Sequence, residues 1–290
     1  MSLALAIPLG VASAVVYGSS IVIQHDVAHA SAADEDPRGL LKLLRDPRWL
    51  MAIAGDFVGF LFQIGALAAG SVVVVQPLVV LMLPVSLGVG YLLGGPRPRI
   101  WDYLSCASVI GGLAVFLVLI GDPKPGRVPH PRPMAIAVVS VLAVGLIISI
   151  SVMKRGRIAR GAAYGAVAGT YFGTLAVMVD AASNRFVSGG IHGLLATPRG
   201  LVPLASIVLL GLGGIVLTQL SFQVGALAAT LPANLAADPL TGVVFGAILL
   251  REYVPTDAAH VVAYLFCLAA VIIGTVRLAA PAAAAQAASA

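Results

Sequence analysis

Charge is what this sequence has least of. It holds 17 lysines and arginines and 12 aspartates and glutamates in 290 residues, 10% of the chain. A soluble domain carries about 25% charged residues. With 60% hydrophobic residues and a mean hydropathy of +1.03, this chain lacks the polar surface a soluble fold of its length needs. Most of it is expected to face lipid. Cysteine is nearly absent as well: Cys106 and Cys267 both lie in apolar runs. That excludes a disulfide framework and a cysteine-based metal site. No glycine-rich phosphate loop, paired-histidine metal motif or nucleophile elbow occurs. The chain is therefore read as a non-enzyme without a cofactor. The net charge of +5 is scattered over short loops with no aromatic-laced basic stripe. It excludes a nucleic-acid partner and reports membrane topology instead.

Long apolar runs are what the sequence has in abundance. A helix needs about 20 apolar residues to cross the hydrocarbon core. Nine such runs are read: 3–24, 48–69, 72–95, 101–121, 134–153, 161–182, 201–221, 225–250 and 257–279. The fold class expected is an all-α integral membrane protein whose immediate partner is the lipid bilayer. Two intervening stretches are too polar or too short to span. In 25–47, "GLLKLLR" predicts a short interfacial helix; the other stretch is 184–199. The first run lacks a basic n-region and exceeds a signal-peptide core, so it is expected to stay as a span. The alanine-rich end, 280–290, is read as a disordered tail.

With nine spans, Arg38, Lys42, Arg45, Arg48, Arg97, Arg99, Lys154, Arg155, Arg157, Arg160 and Arg277 share one side. Lys124, Arg127, Arg132, Arg185, Arg199 and Arg251 share the other. Eleven against six puts the first set in the cytoplasm, the N-terminus outside and the C-terminus inside, in a multi-pass plasma-membrane protein.

The chain also repeats itself. "FQIGALAAG", Phe62 to Gly70, returns as "FQVGALAAT", Phe222 to Thr230, identical at seven of nine positions. "GVASAVVYGSS" (10–20) resembles "GAVAGTYFGTL" (165–175), and "QPL" (76–78) resembles "DPL" (238–240). Tyr103 and Cys106 match Tyr264 and Cys267. Spans 1–4 thus resemble spans 6–9. The layout expected is a first repeat, 1–121, a linker with an extra helix, 122–160, and a second repeat, 161–279. Five spans separate each element from its copy, so the copies are inverted. Many secondary transporters are built this way, with the cargo site near the midplane between the repeats.

Small residues four apart mark close helix packing in lipid. Gly10, Ala14 and Gly18 form such a stripe in span 1, and Gly165, Gly169 and Gly173 form one in span 6. Ionisable residues at membrane depth cost about 2.5–3.5 kcal/mol each at a helix centre and mark function by default. Asp238, Asp56 and Asp180 qualify. Asp238 precedes Pro239, and its repeat mate Gln76 precedes Pro77. Both prolines are expected to break their helices, which is the pattern of a transport site. Gln63 and Gln223, the polar members of the repeated motif, join Gln24, Gln219 and Asn234 as candidates for lining a pathway. Tyr17 and Tyr171 are read as packing aromatics. Asp238 and Asp56 are also candidate ligands for a divalent cation. Mg²⁺ keeps several waters and is held by one or two carboxylates.

Several of these segments resemble a known family. "AGDFVGF" with Gly55-Asp56, "FQ..ALA", "VQPL", "DYLSC", "FGTLAVM", "DPL" and "LLREY" are similar to motifs of the NIPA family of magnesium transporters, within the drug/metabolite transporter superfamily. The resemblance covers most of 1–279. It implies a ten-helix-type transporter core and divalent-cation transport. Glu252 resembles the acid that closes the family's penultimate span; the first-half counterpart, "LLGGPRP", has no glutamate. The function expected is transport by alternating access, of a divalent cation such as magnesium or of a small polar metabolite. Homodimeric assembly stays open, as do a lipid-linked sugar flippase and a non-transporting membrane scaffold.

Overall fold

The computed structural model describes residues 3–32, 45–93, 97–120, 130–224, 227–252, 255 and 257–288. Among the described residues every regular element is a helix. In lipid the backbone must satisfy its own hydrogen bonds, and an apolar run does so by coiling into a helix. The helices are α1 (Leu3–Ala32), α2 (Pro47–Ala69), α3 (Val72–Leu92), α4 (Ile100–Ile120), α5 (Pro131–Ser151), α6 (Arg157–Leu195), α7 (Pro198–Val224), α8 (Leu227–Phe245) and α9 (Ala258–Ala288).

Among the described residues eight helices are long and apolar enough to cross a membrane. The ninth expected span, 257–279, falls short: its apolar helix among the described residues is Ala258–Gly274. The chain is a multi-pass membrane protein. Its outer surface agrees, because Val118, Phe266 and Met51 point outward and are 72–81% exposed. Such side chains are as comfortable in lipid as in a core.

Several expected boundaries move. α1 continues eight residues beyond 24, to Ala32. The expected interfacial helix "GLLKLLR" lies, but for Arg45, outside the described residues. Most of the stretch 184–199 prolongs α6, which runs to Leu195 and departs from helical geometry at Gly190, where φ is +59°. That left-handed conformation is open to glycine because it has no Cβ. The alanine-rich end continues as helix through Ala288 instead of forming a disordered tail. Alanine has the highest intrinsic helix propensity of any residue.

The expected helix breaks are also revised. Pro77 is followed by a single 3₁₀ turn, Val79–Leu81, and the chain then resumes as helix. α8 runs through Pro239 without interruption. In a bundle, neighbouring helices and side chains re-satisfy backbone groups freed by proline. The irregular part of α8 comes later, as a π turn over Gly246–Leu250 ending on Arg251 in the left-handed region, φ 56°.

Packing follows the small residues. Gly10 faces Leu78 and Gly18 faces the Met82 carbonyl, so α1 lies parallel to α3. Gly165, Gly169 and Gly173 face the carbonyls of Thr230, Asn234 and Asp238, so α6 lies parallel to α8. A Cβ on any of these three would collide with backbone, which cannot swing aside. α1 runs antiparallel to α2, through Ser13–Gly59 and Gln24–Asp56 contacts. α6 runs antiparallel to α7, with Gly211 on Leu175 and Gly214 on Phe172. α3 and α8 cross antiparallel, with Gly242 against Gln76 and Gly246 against Val72. α4 pairs with α9, where Ser108 donates to the Ala270 carbonyl. α5 rests on α6 and α7.

These directions divide the bundle into two ends. At one end Ala6, Leu67, Val72, Met178, Ala181 and Leu250 are part of one tightly buried core. Towards the other end, where α1 closes, α2 opens and α7 closes, that core gives way to a cavity.

Candidate functional site

The cavity has a volume of about 310 Å³. Its walls come from α1, α2, α3, α6, α7 and α8. Most of the lining is apolar, with Phe57, Phe60, Phe172 and Phe222 among it. Set into this lining are Asp56, Asp238, Gln24, Gln63, Gln219, Asn234, Thr218 and Tyr17.

The polar groups form two relays. In the first, Tyr17 Oη donates to Gln63 Oε1 at 3.3 Å, and Gln63 Nε2 donates to Gln76 Oε1 at 3.1 Å. Gln76 Nε2 then donates to Asp238 Oδ1 at 2.8 Å. In the second, Gln219 Nε2 donates to Gln24 Oε1 at 3.0 Å, and Gln24 Nε2 to Asp56 Oδ2 at 2.6 Å. Ser20 also bonds Asp56. Each relay ends on a carboxylate; Gln24, Gln63 and Gln76 spend both amide ends, whereas the buried Oε1 of Gln219 has no hydrogen-bond partner. Buried polar groups need such partners because an unmade bond costs about 1–3 kcal/mol. The two relays draw on five helices: α1, α2, α3, α7 and α8.

Asp56 and Asp238 share one chamber, and Tyr17 stands within electrostatic reach of both. Among the described residues neither forms an ion pair with a lysine or arginine. The amides supply only neutral donors. What the chamber can do chemically is hold a proton or a positively charged guest, which would neutralise a carboxylate in apolar surroundings. A metal cage is another matter. Among the described residues no group of three or more His, Cys, Asp or Glu side chains converges. Asp56 and Asp238 are the two carboxylates a cation would meet here.

Not every residue singled out in the sequence reaches the cavity. Gln76 sits just behind the wall and is fully buried. Gln223, the repeat mate of Gln63, does not line it, and its buried Nε2 has no hydrogen-bond partner. Asp180 does not line it either; it is buried towards the closed end of the bundle, between Met178 and Ala181 of the packed core. Asn234 does line it, 3.5 Å from the Thr218 hydroxyl, too long for a strong bond. Tyr171, read as a packing residue, donates to the Leu142 carbonyl of α5 at 3.3 Å.

Two features escaped the sequence. Tyr17 has the sequence setting of a packing aromatic, yet it heads a relay. The phenylalanines of the lining were not singled out at all, because an aromatic in an apolar run looks like any other core residue. One signal pointed to them: Phe222 opens the repeated motif.

Comparison with known proteins adds a relative and little else. The chain is 29% identical over 281 residues to an uncharacterized protein of Corynebacterium glutamicum, covering 94% of each. No family model matches the chain. No solved structure matches it.

Proposed function

We propose that this protein is a transporter of the drug/metabolite type that works by alternating access. Its nine spans form two inverted repeats, spans 1–4 and 6–9, about the Asp56–Asp238 cavity. The observation that carries the reading is the 2.8 Å bond between Gln76 and Asp238. These residues occupy matching places in the two sequence repeats, and they meet beside a chamber large enough for a small solute. Small-molecule sites begin at about 300 Å³. The helix directions support the same reading. α1, α2 and α3 relate to one another as α6, α7 and α8 do, and α3 crosses α8 antiparallel. The cavity is at one end, while the other end is closed by packed core, as an alternating-access carrier requires of any one state.

The chamber favours a small, positively charged metabolite over a bare divalent ion. Aromatic faces attract an organic cation by about 0.5–2 kcal/mol each and offer no ligand to a metal. Magnesium remains the cargo implied by the resemblance to NIPA proteins, and the test includes it. Reconstituted protein is assayed for Mg²⁺, proton and organic-amine flux in parallel. Amine flux lost in Asp238→Asn supports the reading; Mg²⁺ flux without amine flux replaces the cargo. No flux of any kind in well-folded protein returns the chain to the scaffold alternative. The lysine and arginine distribution supports a plasma-membrane orientation with the N-terminus outside and the C-terminus in the cytoplasm.

A further inference from the structure

A second pair of acids lies outside the cavity, at the closed end of the bundle. Glu252 is 5% exposed. Its Oε1 accepts from the Val72 N–H and its Oε2 from the Val73 N–H, both at 2.9 Å. These are the first two amides of α3. A carboxylate on two helix N-terminal amides is in a favourable place for negative charge. The chain goes to some length to put it there. The π turn at Gly246–Leu250 and the left-handed Arg251 turn the backbone so that Glu252 points back onto α3. Arg251 is the one non-glycine residue with positive φ among the described residues. Such strain persists where surrounding structure holds it, often at functional sites.

Asp180 lies within electrostatic reach of Glu252. It is 3% exposed. Its Oδ2 accepts from Asn184 Nδ2 at 2.9 Å, while its Oδ1 is buried with no hydrogen-bond partner. Among the described residues, the other titratable side chains near this end do not compensate it. His130, Arg132, His192, Arg199 and Arg251 are exposed, Arg185 Nε donates to the Gly193 carbonyl, and His260 of α9 is paired with Asp257. α2 and α3 bring no charged side chain to this end. Two buried anions within electrostatic reach of each other, with no cation among the described residues to offset them, are strongly disfavoured. Glu252 already spends both oxygens on backbone amides, so Asp180 is the one left to take the proton.

We infer that Asp180 is a proton-binding site, distinct from the cavity, which stays protonated while Glu252 caps α3 and the closed end is sealed. The proton comes from water and returns to it. Asp180 lies five residues beyond Leu175, the last α6 residue on the cavity, about 7.5 Å along the helix. Opening of this end rests on the alternating-access reading, whereas the proton on Asp180 does not. The linkage has a definite sign. The sealed form holds one more proton than the open form, so sealing is favoured at low pH and lost as pH rises. Loss of the proton leaves two buried anions within electrostatic reach of each other, and their repulsion detaches Glu252 from α3.

The test reads the seal and not cargo flux, so a protein that moves nothing can still pass it. Ser71, the buried N-cap of α3, becomes the reporter as Ser71→Cys, with Cys106→Ser and Cys267→Ala removing the native thiols. Alkylation by a small polar maleimide is divided by that of exposed Ser188→Cys, which cancels the thiol's own pH dependence. The ratio is expected to rise about fivefold or more from mildly acidic to mildly alkaline pH. Asp180→Asn should keep it low and flat. In the infrared, the same substitution should delete a protonated-carboxyl band present in the parent protein at neutral pH. A flat ratio in the parent, an undiminished rise in Asp180→Asn, or an unchanged carboxyl band overturns the proposal. Should Asp180→Asn fail to fold, Glu252→Gln carries the test: its rise must also vanish, and persistence overturns the proposal equally.

Discussion

Gln76 and Asp238 stand 162 residues apart in sequence and are joined by a 2.8 Å hydrogen bond from the Gln76 amide to the Asp238 carboxylate. Each precedes a proline, each is buried, and they come from helices that cross antiparallel. The repeat that pairs them in sequence is the same one that brings them into contact.

Asp238→Asn should abolish cation-coupled flux while leaving the fold intact, because the amide has nearly the carboxylate's shape but no charge. Gln76→Ala should reduce transport less, since it removes a donor and keeps the anion. Flux at matched expression and monodispersity decides. Full activity in Asp238→Asn would shift the site towards Asp56.

Tyr17→Phe removes the hydroxyl that donates to Gln63 and leaves Gln63 Oε1 without that donor. A stability loss of about 1 kcal/mol is expected, at the low end of the cost of an unpaired buried acceptor because the bond is long. Thermal unfolding in detergent reads it. An unchanged midpoint would mean that water or another donor replaces the hydroxyl.

Gly169→Leu should prevent assembly or sharply lower thermal stability. The new Cβ collides with the Asn234 carbonyl. Overpacking costs about 1–3 kcal/mol when side chains can shift, and more where backbone blocks the way. Gly111→Leu on α4 is the control, since nothing lies within 4 Å of its Cβ position. Equal melting behaviour of the two variants would show that α6 and α8 do not meet through this glycine.

A reporter fused after Arg277 should read cytoplasmic and one inserted near Arg127 external. Opposite readings at both sites reverse the orientation. The same reading at both means that the number of crossings between them is even.

The sequence by itself determined that this is a helical membrane protein. Sparse charge and apolar runs of span length leave the backbone no other way to satisfy its hydrogen bonds in lipid. The repeat was legible too, and with it the matching of Gln76 to Asp238, because identity at fixed offset needs no coordinates. Glycine spacing identified a stripe on α6, since residues four apart share a helix face. Tertiary structure decided what each stripe touches, and that α8 runs unbroken through Pro239, because proline's effect depends on what its neighbours offer the freed backbone. It also sorted the acids. Asp56 and Asp238 entered the cavity, whereas Asp180 was drawn towards the opposite end, within electrostatic reach of Glu252. Membrane depth is readable from position along a span. Which neighbour a carboxylate faces depends on helix rotation and on a turn such as Gly246–Arg251, and neither is written in hydrophobicity.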